Sequence, residues 1–156
     1  MVVLGISLGS RTTGIAVIKD NELLVARSVT VRNKKSTVHT ATLSRYIQQY
    51  KIFLVVIKMP PLTHISERIK ELLSHCLTLF QYHGCMVEYK DTKNIKETMP
   101  EITNKLDMIK FVTITYPGLV PEMTKELSNK NKYHQKMFEA VMVAHVSKEQ
   151  KHYPPY

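Results

Sequence analysis

With 156 residues, 44% of them hydrophobic and 22% charged, the chain has the length and composition of one folded domain, which excludes wholesale disorder and a collagen-like fibre. Lys and Arg outnumber Asp and Glu by 22 to 13, a formal net charge of +9, so polyanions such as DNA, RNA or an acidic membrane are the natural electrostatic partners. The basic residues are spread along the chain with no dense block, so a charge that serves only solubility stays open at this point.

Residues 1–8 are apolar and rich in β-branched side chains, Gly9-Ser10-Arg11 supplies a turn, and Thr13 to Lys19 reads as a second strand. Asp20-Asn21 is a hairpin signal, and Leu23 to Arg32 alternates loosely, as a third antiparallel strand nearer a sheet edge would. Val38, Thr42, Tyr46 and Tyr50 recur at helical spacing and predict a helix over 37–50. Ile52 to Ile57 is almost unbroken apolar, the pattern of a central parallel strand covered on both faces, and Lys58-Met59-Pro60-Pro61 closes it. Thr63 is placed to cap a helix whose Ile65, Ile69, Leu72, Leu73, Cys76 and Phe80 form one stripe ending at Gly84.

Cys85 to Tyr89 is predicted as a fifth strand, Asp91 to Pro100 as a polar connector, and Ile102 to Val112 as a helix. Tyr116-Pro117-Gly118 breaks the chain, and a last helix is predicted over roughly 130–148, or from as early as Pro121, with Tyr133, Met137, Ala140, Val141 and Ala144 on one face. Gln150 to Tyr156 reads as a frayed tail, leaving a single domain over 1–149. The expected fold is α/β: a mixed five-stranded sheet with strands one to three antiparallel, strands four and five parallel to the first, and helices on both faces.

The two cysteines, Cys76 and Cys85, make neither a disulfide framework nor a four-ligand zinc site and read as small buried hydrophobes. None of the seven histidines shows a convincing ligand pattern; His75 and His83 could share a helix face but have no third ligand. The N-terminus lacks a basic leader, and no apolar run approaches the ~20 residues that cross a bilayer, so a cytoplasmic protein without membrane contact is expected.

The order of elements, together with Leu4-Gly5-Ile6-Ser7-Leu8-Gly9-Ser10-Arg11-Thr12-Thr13-Gly14-Ile15-Ala16-Val17, resembles the ribonuclease H-like superfamily. Within it the hairpin is similar to that of RuvC-type Holliday-junction resolvases and their YqgF-type relatives, which has the form Leu-Gly-Ile-Asp-x-Gly-x-x-x-x-Gly-x-Ala. Tyr89-Lys90-Asp91 resembles the Asp that follows strand five in the YqgF-type proteins, and Phe138-Glu139-Ala140-Val141 resembles the Asp-Ala signature of the last helix.

The resemblance implies cleavage of phosphodiesters by two divalent metals, Mg²⁺ or Mn²⁺, held about 4 Å apart by several converging carboxylates. At the metal-bridging position of strand one this sequence carries Ser7, and where resolvases carry a Glu at the end of strand four it carries Lys58. A hydroxyl cannot offset two dications and an ammonium repels them, so no metal cofactor is expected. Asp91 and Glu139 survive, with Glu88 near them in sequence. They are either a residual metal site or, respectively, a helix cap and an ion-pair partner for Lys58 or Lys136.

The same hairpin also looks like the first phosphate loop of the actin and sugar-kinase superfamily, but those enzymes close two such domains over ATP and this chain holds one. A binding surface is the stronger expectation. Arg11, Arg27, Arg32, Lys34 and Lys35 lie on the first hairpins, while Lys58, Lys90, Lys93 and Lys96 fall at or beyond the ends of strands four and five. Arg11, Lys58, Lys90, Lys93 and Lys96 are the candidate nucleic-acid contacts, and Tyr89 is a candidate stacking platform. The resulting expectation is a resolvase-like domain that binds DNA or RNA, or a complex that handles it, without cutting; a nuclease using Asp91, Glu139 and Glu88 and a protein-protein scaffold are the alternatives.

Overall fold

The structure is a computed structural model and describes residues 1–30, 37–128 and 133–151. In chain order it contains β1 (Val2–Ser7), β2 (Thr12–Lys19), β3 (Glu22–Thr30), α1 (Thr37–Tyr50), β4 (Leu54–Lys58), α2 (Glu67–Tyr82), β5 (Met86–Lys90), α3 (Thr92–Thr98), α4 (Lys105–Thr115), α5 (Val120–Ser128) and α6 (Gln135–Lys151). The strands form one sheet in the order β3-β2-β1-β4-β5. β1, β2 and β3 run antiparallel, while β4 and β5 run parallel to β1, as the sequence pattern requires.

Strand parity divides the core into two layers, because successive side chains leave opposite faces of a sheet. Leu4, Ile6, Ile15, Val17, Val55 and Ile57 pack with Leu43, Tyr46 and Ile47 of α1 and with Ile69, Leu72, Cys76 and Phe80 of α2. Val3, Ala16, Ile18, Leu54 and Val56 face the other way, onto α6 and α4. Ser7 and Lys58 have the parity of this second group, so both point toward α6.

α6 is pressed against the sheet by two glycines. A Cβ at Gly14 would overlap the backbone of Lys136 and Met137, and one at Gly5 would overlap the carbonyl of Ala140 and lie 2.9 Å from the Ala144 Cβ. Because α4 covers α6 from outside as well, Met137, Phe138 and every residue from Ala140 to Lys148 is buried. One apolar stripe therefore understates how much of this helix is enclosed.

Several local boundaries differ from the sequence expectation. Ser66, not Thr63, caps α2, accepting a hydrogen bond from Ile69 N at 3.3 Å, while 62–64 forms a short 3-10 turn. The stretch expected as a polar connector contains α3. Asp91 caps it in a reciprocal box with Asn94, and the buried Ile95 anchors it, so capping overrides a sequence with little apolar periodicity. The helix expected over 102–112 starts later, at Lys105, behind the Asn104 cap. The last helical stretch is two helices, α5 and α6. Gln150 and Lys151, assigned to a frayed tail, continue α6, and 152–156 lie outside the described residues, as do Arg32, Lys34 and Lys35. Among the described residues no helix is long and apolar enough to cross a membrane.

Candidate functional site

Ser7 ends β1 and Lys58 ends β4, and the two strands pair in parallel with Ser7 directly opposite Lys58. α6, seated on Gly5 and Gly14, brings Glu139 over this spot. Ser7 Oγ donates to Glu139 Oε2 at 2.6 Å, and Lys58 Nζ lies 3.4 Å from the same oxygen. Lys136 Nζ reaches it at 3.3 Å from one turn earlier on α6, and Gln135 Nε2 donates to Oε1 at 3.1 Å. Ser7, Lys58 and Glu139 are 1%, 8% and 5% exposed, so this network lies in the protein interior where electrostatic interactions are strong. Burial alone would raise the Glu139 pKa, but the ammonium groups of Lys58 and Lys136 and the hydrogen bonds from Ser7 and Gln135 outweigh it and hold the carboxyl below its ordinary range.

The network forms one wall of a cleft of about 310 Å³, whose lining also includes His64, Thr92, Lys96, Thr103, Asn104 and Lys105. Four of the lining residues are lysines and Glu139 is the one carboxylate. A second cleft, of about 430 Å³, opens on the other side of the α6 N-terminus between the Gly9–Thr12 turn, Arg11 included, and Tyr133; Gln135 and Lys136 border both.

The expected site residues separate into two groups. Ser7, Lys58 and Glu139 meet. Asp91 does not join them: its Oδ1 accepts from Asn94 N at 2.8 Å as the cap of α3. Glu88, half-buried on β5, has a partner of its own. Lys96 lines the first cleft and Arg11 the second, whereas Lys90, which also has a partner, and the exposed Lys93 line neither. Tyr89 pairs in register with Ile57, whose side chain packs on the α1 and α2 side, so the proposed stacking platform is on the face opposite the lysine cleft. Lys105, Thr103 and His64 were not singled out from the sequence, since the docking of α4 beside α6 brings the first two to the cleft and the turn at 62–64 after β4 brings His64 there. Lys136 was named from the sequence as a partner for Glu139, and Gln135, four residues before Glu139 on the same helix face, was findable by the same spacing.

Two divalent cations do not fit this donor set. One carboxylate is present, both its oxygens are already engaged, and two ammonium groups stand where cations would be held. Among the described residues no three His, Cys, Asp or Glu side chains are grouped to bind a metal. Two histidines make their contacts elsewhere: His83 Nε2 lies 3.0 Å from Ser44 Oγ, and His145 Nδ1 lies 2.9 Å from the Tyr116 hydroxyl.

The chain matches no family model and no curated protein sequence. Among solved structures it is similar to Thermus thermophilus RuvC in complex with a Holliday junction substrate, with a TM-score of 0.74 at 15% identity over 97% of this chain and 96% of that one. It is similar also to a second Thermus thermophilus RuvC structure, with a TM-score of 0.72 at 12% identity over 97% of each chain. The fowlpox virus resolvase in complex with its substrate Holliday junction DNA gives a TM-score of 0.62 at 11% identity, over 98% of this chain and 100% of that one. The fold is the ribonuclease H-like fold of the Holliday-junction resolvases, carried on a divergent sequence.

Proposed function

We propose that this protein is a non-cutting member of the resolvase-like group that binds nucleic acid across the C-terminal end of β1 and β4. The observation that carries the reading is one buried carboxylate, Glu139, flanked by Lys58 and Lys136 at the strand ends where the resemblance implies a cluster of carboxylates. A site of this charge attracts phosphate and repels divalent metal, which favours binding and disfavours metal-assisted hydrolysis. The +9 net charge and the placement of Arg11 and Lys96 along the two clefts support the same conclusion. Two of the solved structures to which the chain is similar hold Holliday junction DNA, so a four-way junction is the first ligand to test. Both cysteines are free thiols, in keeping with a reducing cytoplasm.

The test is binding and cleavage of labelled four-way junction, duplex and single-stranded DNA and RNA, with Mg²⁺ or Mn²⁺ added. Salt-sensitive binding without product is expected. Metal-dependent cleavage that disappears in Asp91→Asn would replace this reading with a working nuclease, and absence of both binding and cleavage would leave a protein-protein scaffold.

A further inference from the structure

Two ammonium groups converge on one oxygen of one carboxylate: Lys58 Nζ at 3.4 Å and Lys136 Nζ at 3.3 Å from Glu139 Oε2. A single negative charge balances one of them. Lys96 and Lys105 add two more cations to the lining, and no second carboxylate lines the cleft. Each ammonium has three N–H donors and Glu139 occupies one direction, so donors remain for a further acceptor. α6 begins at this wall with no acidic residue in its first turn, so the partial positive charge there adds to the imbalance, whereas the first turn of α4 carries its own carboxylate, Asp107. The surplus is set in a concave, partly enclosed space, where screening by water and salt is weaker than on an open surface.

Building on the nucleic-acid reading above, we propose that Lys58 and Lys136 together seat a backbone phosphate of the bound strand without any divalent cation. Glu139 orients the two ammonium groups and removes one unit of charge, so the pair presents donors rather than a bare cluster of repelling cations. Ser7 locks Glu139 by its short hydrogen bond. The phosphate is thus held where metal-dependent relatives would need ions, and the contact persists when metal is withdrawn.

The experiment is a titration of fluorescein-labelled four-way junction with the whole chain, followed by anisotropy over a salt series, once in EDTA and once in Mg²⁺. Binding is expected to be at least as tight in EDTA, since added Mg²⁺ only competes for the phosphates. Lys136→Gln is expected to weaken binding severalfold and to reduce the slope of log affinity against log salt by about one unit. Lys70→Gln, on the exposed surface of α2 beside Glu67, serves as the control and leaves the slope unchanged. Lys136 is the residue of choice because its side chain is 26% exposed, whereas Lys58 is buried deeply enough that its loss can disturb folding. Junction binding that vanishes in EDTA, or a Lys136→Gln slope equal to that of the parent, overturns the metal-free seat while leaving the nucleic-acid reading standing. Inorganic phosphate that raises the melting temperature while no nucleic acid binds under any condition assigns the seat to a free anion and overturns both.

Discussion

Replacing Glu139 with Gln removes the single charge shared by Lys58 and Lys136 while keeping the side chain's size. Lys58, 8% exposed, is left as a nearly buried cation facing a neutral amide. Lys136, with a side chain 26% exposed, can turn toward water. Removing one partner of a buried ion pair costs about 3–5 kcal/mol, and the freedom of Lys136 puts this case near the lower end, about 3 kcal/mol. In a chain of this length each kcal/mol moves the melting temperature by about 2–4 °C, so Glu139→Gln is expected to melt roughly 6–12 °C lower at neutral pH. The pH profile provides a second signature. Folding holds the Glu139 carboxyl below the ordinary glutamate value of about 4.3, so its contribution is complete above that value and is lost as pH falls through the lower native pKa. The stability gap between parent and variant should accordingly be widest near neutrality and close in acid. Thermal unfolding followed by circular dichroism from neutral into acid pH measures both. A variant that melts with the parent at neutral pH, or a gap that stays constant in acid, refutes the account of Glu139 as the charged centre of the network.

Ser7→Asp combined with Lys58→Glu places two acids beside Glu139, and this double variant should melt lower in EDTA and recover with Mn²⁺. A metal present at a hundredfold its dissociation constant stabilises by about 2.7 kcal/mol, and an unchanged melting temperature would show that the geometry is not that of a metal seat. Gly14→Ala drives a methyl group into the backbone of Lys136 and Met137 and is expected to cost about 3 kcal/mol in denaturant unfolding; a neutral result contradicts the close seating of α6. Asp91→Ala removes the α3 cap and should cost about 1 kcal/mol without altering the acid profile assigned to Glu139; a changed profile would tie Asp91 to the central network. In thiol labelling of the native protein, Cys85 should react well before Cys76, whose thiol burial pushes up to about 12; equal rates would show that the packing of α2 on the sheet does not enclose it.

The strands and their directions were legible in the sequence because their signals are local. The apolar run before Lys58, the Asp20-Asn21 turn and the hairpin around Gly9 each specify a strand or a turn, and right-handed crossovers leave few ways to join them. Ser7 and Lys58 could be singled out because each sits at the end of a readable strand. Short helices were less legible: α3 depends on the Asp91–Asn94 box more than on periodicity, and the division between α5 and α6 was not resolved. What only the tertiary structure decided is which charges face one another. Residues 7, 58 and 139 are far apart in sequence, and their meeting depends on the register of β1 with β4 and on the depth to which Gly5 and Gly14 let α6 descend. The docking of α4 beside α6 puts Lys105 at the cleft, the turn after β4 puts His64 there, and Asp91 is left to cap a helix, since the energy of a charge depends on the partners and solvent that the folded chain puts around it.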